Sequence, residues 1–207
     1  MLYADAEGGF FMRKNTVFKS VKALALASML TAMSVVIGMF CKNFMSFGGG
    51  LFRVTFENLP IIISGITFGP IVGALVGAGS DLLSYLLSTQ IYPPNLIVTA
   101  GAATVGIVSG ILARYVIPKR GVIQVILSGG AAHVIGSMII KSIGLYQYYG
   151  ILVLWRIPLY TVIAALELAV ICWLFKRNSF KKLINEISPQ KPLKNGKGNL
   201  NKNENDI

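Results

Sequence analysis

The sequence predicts an all-α membrane protein of six transmembrane helices with both termini in the cytoplasm, and three observations predict it. Mean hydropathy is +0.67, with 54% hydrophobic and only 13% charged residues in 207, too apolar and too poor in charge for a soluble domain of that length. Apolar runs near the roughly 20 residues that a hydrocarbon core of about 30 Å demands recur six times along the chain. The basic residues behind a net charge of +11 fall in blocks between those runs. One patch studded with aromatics would suit nucleic acid; blocks between spans suit membrane topology, so no nucleic-acid partner is expected.

Each element follows from its local pattern. Residues 1–19 read as a cytoplasmic N-terminal segment. The run from Lys22 to Phe40 is longer than a signal core and no small-residue cleavage site follows it, so it is taken as the first retained helix. The second run, Val54 to Phe68, covers only about 20 Å at 1.5 Å per residue, and is expected to tilt or to be completed by loop buried in protein. Gly69-Pro70 predicts a tight turn into the third, Pro70 to Leu87. The breakers Tyr92-Pro93-Pro94-Asn95 precede the fourth, Leu96 to Val116; Pro118 separates it from the fifth, Val122 to Ile143; the sixth runs from Leu152 to Phe175. The membrane domain is thus residues 20–177. The Lys- and Asn-rich residues 178–207 hold too little apolar surface to fold alone and read as a disordered cytoplasmic tail.

Orientation follows from charge. With both termini inside, fifteen Lys and Arg stand on the cytoplasmic side, among them Arg13, Lys14, Lys19, Lys22, Arg114, Lys119 and Arg120, against four outside: Lys42, Arg53, Lys141 and Arg156. The positive-inside rule favours that arrangement.

A charge within a span costs at least about 2.5 kcal/mol on insertion scales, so each needs a partner, a wet cavity or a ligand. In this topology Arg53 and Glu57 stand at the outer start of the second span, Asp81 and Tyr85 in the outer half of the third, His133 and Lys141 in the outer half of the fifth, and Arg156 at the outer start of the sixth. Glu167 falls in the inner half. Gly73, Gly77, Asp81 and Tyr85 repeat every four residues, as do Gly129, His133, Ser137 and Lys141. Each set lies along one helix face, small residues for close contact giving way to polar ones around an outward-facing pocket. Arg53 and Glu57 either neutralise each other or meet a ligand. His133 and Glu167 read first as helix-packing residues. Tyr85, Tyr92, Tyr146, Tyr148, Tyr149 and Trp155 form an interfacial belt or stack on a flat ligand. One histidine without clustered carboxylates offers too few ligands for a metal, and no cofactor is expected. No phosphate loop, HExxH or paired nucleophile and base is present, so the chain reads as an outward-facing receptor and not an enzyme, unable to hydrolyse ATP by itself.

The run Phe52-Arg53-Val54-Thr55-Phe56-Glu57-Asn58-Leu59-Pro60, with Ser64-Gly65, Phe68-Gly69-Pro70, Gly73-Ala74, Gly77, Asp81-Leu82-Leu83 and Tyr92-Pro93-Pro94, resembles the folate family of energy-coupling-factor (ECF) substrate-binding subunits, the S components. The resemblance implies a multi-pass protein of the bacterial plasma membrane. Such a subunit captures a folate or related vitamin from outside and delivers it through a transmembrane coupling protein and two ATPase subunits. It further implies that Asp81 or Asn58 reads the pterin edge, that Arg53, Arg156 or Lys141 meets the glutamate carboxylates beside Glu57, and that Phe56, Tyr85 or Tyr92 stacks on the ring. Ala23 and Ala27 match the family's alanine motif for partner docking, with packing inside the bundle as the alternative. Gly48-Gly49-Gly50 reads as a loop able to fold over ligand or as a plain connector. Sister receptors for riboflavin, pantothenate or thiamine and gradient-driven secondary transporters remain the competing readings.

Overall fold

The computed structural model describes residues 21–47, 52–87, 95–117, 121–178 and 180. Six helical segments occupy the six apolar runs among these residues: α1 (Val21–Phe44), α2 (Asn58–Phe68), α3 (Pro70–Leu86), α4 (Leu96–Ile111), a long fifth segment and α7 (Arg156–Lys176). The fifth begins as α5 (Val122–Ala132), widens into a π-helix (His133–Ile140) and ends as α6 (Lys141–Tyr149), past the expected limit at Ile143; a 3₁₀ segment (Gly150–Trp155) leads into α7. Three helical stretches, Val21–Phe44, Leu96–Val116 and Val122–Lys176, are long and apolar enough to cross a membrane.

The all-α expectation is amended at one point. Strands β1 (Ser46–Phe47) and β2 (Phe52–Arg53) pair antiparallel between α1 and α2. Residues 54–56 are not helical, so α2 starts later than expected, at Asn58. The short second run is completed by a folded connection, the polar groups of which are met locally: Val54 N donates to Met45 O at 3.1 Å and Glu57 N to Thr55 Oγ1 at 3.3 Å.

Gly69 joins α2 to α3 with φ +95, a conformation open to glycine, and Pro70 then supplies the first turn of α3 with a φ already suited to helix. Arg114 donates to Phe68 O and so satisfies a carbonyl that the end of α2 leaves unpaired. Beyond the turn α3 packs on α4, α2 and α1. The close approach expected at Gly73 and Gly77 is made against α4: a Cβ on Gly73 would stand 2.6 Å from Gly106 O. Backbone meets backbone there without side chains between.

The π-helix explains how Gly129, His133, Ser137 and Lys141 all face the bundle, every one of them buried. In an α-helix four residues overshoot a turn by about 40°, and three such steps would swing Lys141 well off the stripe. The wider π turn makes four residues fall short instead, so the drift gained in α5 is reversed before Lys141. A second π turn (Leu112–Val116) ends α4. There Gln124 Nε2 donates to Ala113 O at 2.7 Å and Ile117 O at 2.8 Å, satisfying two carbonyls at a helix end. Replacing Gln124 by Leu strands both, and we expect a loss of about 1–3 kcal/mol in detergent unfolding. An unchanged melting temperature would show these bonds to be dispensable.

Candidate functional site

At one end of the bundle α1 and α3 finish while α2, α4 and α7 begin, and there the structure gathers most of the buried charge. Glu57 precedes α2 by one residue and Asn58 opens it; both are buried. Lys141 reaches them from the first position of α6, donating to Glu57 Oε1 at 3.0 Å and to Asn58 Oδ1 at 3.1 Å. Asn58 Nδ2 donates in turn to Ser137 Oγ at 3.2 Å, and Ser34 on α1 caps the Glu57 carbonyl at 2.7 Å. The carboxylate, the amide and the ammonium thus hold one another in fixed geometry between α2 and the fifth segment.

Two glycines make room for this. A Cβ on Gly38 would lie 2.9 Å from Glu57 Oε2, and one on Gly101 would lie 2.7 Å from Lys141 Cγ. On the far side of Glu57, Lys42 donates to Ser84 Oγ, tying α1 to α3. Asp81, half-buried, accepts from Thr99 Oγ1 on α4 at 2.8 Å. Asp81 and Tyr160 both lie close enough to Lys141 to act on it electrostatically.

Arg156, the first residue of α7, is 4% exposed. Its Nη2 donates to Tyr160 OH one turn on, and its guanidinium carbon sits 4.9 Å from the centroid of that ring. Nε and Nη1 are buried with no protein acceptor. A guanidinium with two desolvated donors left over is held ready for an anion, since the same group without one costs several kcal/mol.

Of the residues singled out in the sequence, Glu57, Asn58, Lys141, Asp81 and Arg156 come to this end together. Phe56 and Tyr85 flank it, both half-buried. Arg53 is described by its backbone alone, in β2. Tyr92 and Gly48-Gly49-Gly50 lie outside the described residues. Tyr146, Tyr148 and Trp155 are exposed, as an interfacial belt requires. Ala23 and Ala27 are buried, in a core cluster that includes Ile61, Ile62 and Val72.

Sequence reasoning passed over several participants. Tyr160 carries a usable signal, being four residues past Arg156 and so on the same face. Lys42, Ser34 and Ser84 carry none, since their partners are 23 and 42 positions away. Glu167, read first as a helix-packing residue, is 0% exposed and bonded through Oε2 to His133 Nε2 across 34 positions.

A family model described as "ECF transporter, substrate-specific component" matches residues 22–185. Among solved structures, the chain is similar to one titled "Crystal structure of FolT bound with folic acid", at 23% identity and a TM-score of 0.59, covering 77% of this chain and 95% of that one. At that identity the likeness concerns the fold. Among curated proteins it is similar to an uncharacterised MG098 homologue of Mycoplasma pneumoniae, 33% identical over 102 residues that make up 49% of this chain. The chain spans about a fifth of the length of that relative, 20%.

Proposed function

The chain belongs to the family of ECF transporter substrate-specific components, and on that premise we propose that it captures a folate at the end of the bundle where Glu57, Lys141 and Arg156 meet. All six helical segments span the bilayer in this reading, both termini are cytoplasmic, and the site faces outward. Transport is driven by ATP hydrolysed in partner subunits, two ATPases and a transmembrane coupling protein.

The observation that carries the reading is Arg156: a buried guanidinium with Nε and Nη1 unpartnered, one helix away from the Lys141 ammonium. Two cations fixed at one end of an apolar bundle suit a ligand with a dicarboxylate tail, the fork of Arg156 taking one carboxylate in two parallel bonds. The solved structure sharing the fold was determined with folic acid, which has such a tail and a flat ring. Asn58 and Asp81 offer amide and carboxylate groups for the ring's polar edge, and Phe56 and Tyr85 apolar faces for its surface.

Of the two tryptophans, Trp155 adjoins Arg156, whereas Trp173 stands near the opposite end of α7 beside Arg177. A Trp173→Phe protein, purified and stripped of ligand, therefore reports on the site through Trp155 alone. Saturable quenching by folic acid is expected, with none by riboflavin, thiamine or pantothenate. Arg156→Met should weaken it by about thirtyfold or more, and Arg156→Lys by less, since the charge survives and the fork does not. A response to riboflavin alone keeps the receptor and overturns the substrate; silence for every vitamin overturns the receptor.

A further inference from the structure

His133 and Glu167 form a bonded pair in the middle of the bundle, 1% and 0% exposed. It is the second buried acid–base pair among the described residues, and ligand capture as proposed makes no use of it. Helix packing alone leaves two features without a reason. His133 Nδ1 and Glu167 Oε1 are both buried without a hydrogen-bond partner, whereas a pair retained only to join two helices gains nothing from a spare donor and a spare acceptor. The position is also particular. His133 is the first residue of the π-helix that runs to Ile140, just before Lys141, and Glu167 lies on the face of α7 that carries Arg156 and Tyr160, all of them buried. The bond between them therefore sets how the helix bearing Lys141 sits against the helix bearing Arg156.

We propose that the His133–Glu167 pair is a proton-linked clasp: it positions Lys141 and Arg156 for the anionic ligand, and it takes up one proton from solution when that ligand binds. The inference rests on the anion-binding reading above. Before binding the pair is neutral, with one proton shared between His133 Nε2 and Glu167 Oε2 and another on Nδ1. The proton gained on binding goes to Glu167 Oε1, leaving the pair at +1.

Charge is the cause. Lys141 and Glu57 both act on Glu167 across the bundle. The other ionisable groups on the surrounding elements are Asp81 and Tyr85 on α3, Tyr146, Tyr148 and Tyr149 on α6, and Arg156, Tyr160, Cys172 and Lys176 on α7, with none on α4 before the π turn that holds Arg114 at its far end. Lys141 and Arg156 disfavour a further positive charge nearby. A bound dianion cancels them, and in a medium of low dielectric that makes the second proton easier to hold. By linkage, binding that takes up a proton tightens as pH falls.

The test is calorimetric titration of the wild-type protein with folic acid in two buffers of different ionisation enthalpy, between about pH 5.5 and 7.5, where the ligand carboxylates stay ionised. We expect uptake of about half to one proton per ligand and affinity that rises by about three- to tenfold for each unit of falling pH. Glu167→Gln keeps an acceptor for His133 but cannot take the proton, so its uptake should vanish and its pH profile flatten; His133→Gln should do the same. Folate binding to the wild-type protein without proton uptake overturns the clasp, whether or not the variants fold. Uptake that persists in a folded variant overturns it as well. Failure of the wild-type protein to bind folate overturns the parent reading and the clasp with it.

Discussion

Gly106→Val is expected to leave little folded protein after detergent extraction, with a loss of stability beyond the about 1–3 kcal/mol of ordinary overpacking. The reason is what the new side chain meets. At the seam between α3 and α4 a Cβ on Gly106 would run into the Gly73 carbonyl, and one on Gly73 would lie 2.6 Å from Gly106 O and 2.8 Å from Gly65 Cα. All of these are backbone atoms. No rotamer change relieves such a clash; three helices have to move apart, and in lipid the dispersion contacts they give up are most of what holds them together. Gly79 on α3 provides the contrast, since a Cβ there meets nothing within 4 Å. Gly79→Ala should be neutral or slightly stabilising through helix propensity. Melting followed by fluorescence-detected size exclusion reads both variants side by side, and equal behaviour would mean that the seam does not carry the fold.

Half of this seam is legible in the sequence and half is not, for a physical reason. Gly73 and Gly77 announce themselves by falling four apart on a helix that turns polar at Asp81. Gly106 sits in a run so rich in small apolar residues that no single glycine stands out. The helix limits follow the same logic: Gly69-Pro70 is a local signal and the turn is where it was expected. The late start of α2 depends on the pairing of Ser46 with Arg53 and Phe47 with Phe52, which no local pattern encodes. In the site, the stripe of Gly129, His133, Ser137 and Lys141 was visible as a spacing, yet its geometry depends on a π-helix that spacing does not specify. Partner choice was least visible. Arg53 and Glu57, four apart, invite a local ion pair, but nothing in the spacing announces the bond that Glu57 makes with Lys141, 84 positions away. Contacts of that kind exist only once the bundle has closed, and hydropathy, which drives closure, is indifferent to which charges meet.

That long-range pair is where binding and stability can be separated. Lys141→Met should weaken folate binding by about a hundredfold or more and also destabilise the protein by about 3–5 kcal/mol, because it takes from the buried Glu57 carboxylate the ammonium that donates to it at 3.0 Å. A single variant therefore confounds two effects. Replacing both partners, Glu57→Leu with Lys141→Met, removes the carboxylate together with the ammonium, and buried ion pairs exchanged for apolar groups of similar volume are often neutral or stabilising. The melting temperature of the double variant should thus return to near that of the wild type. Its folate response should not, because the ammonium that meets the ligand carboxylate is still missing. Tryptophan quenching and thermal melting of the three proteins decide the matter. If the double variant binds folate as the wild type does, Lys141 is a structural cation only, and recognition of the acidic tail falls to Arg156 alone.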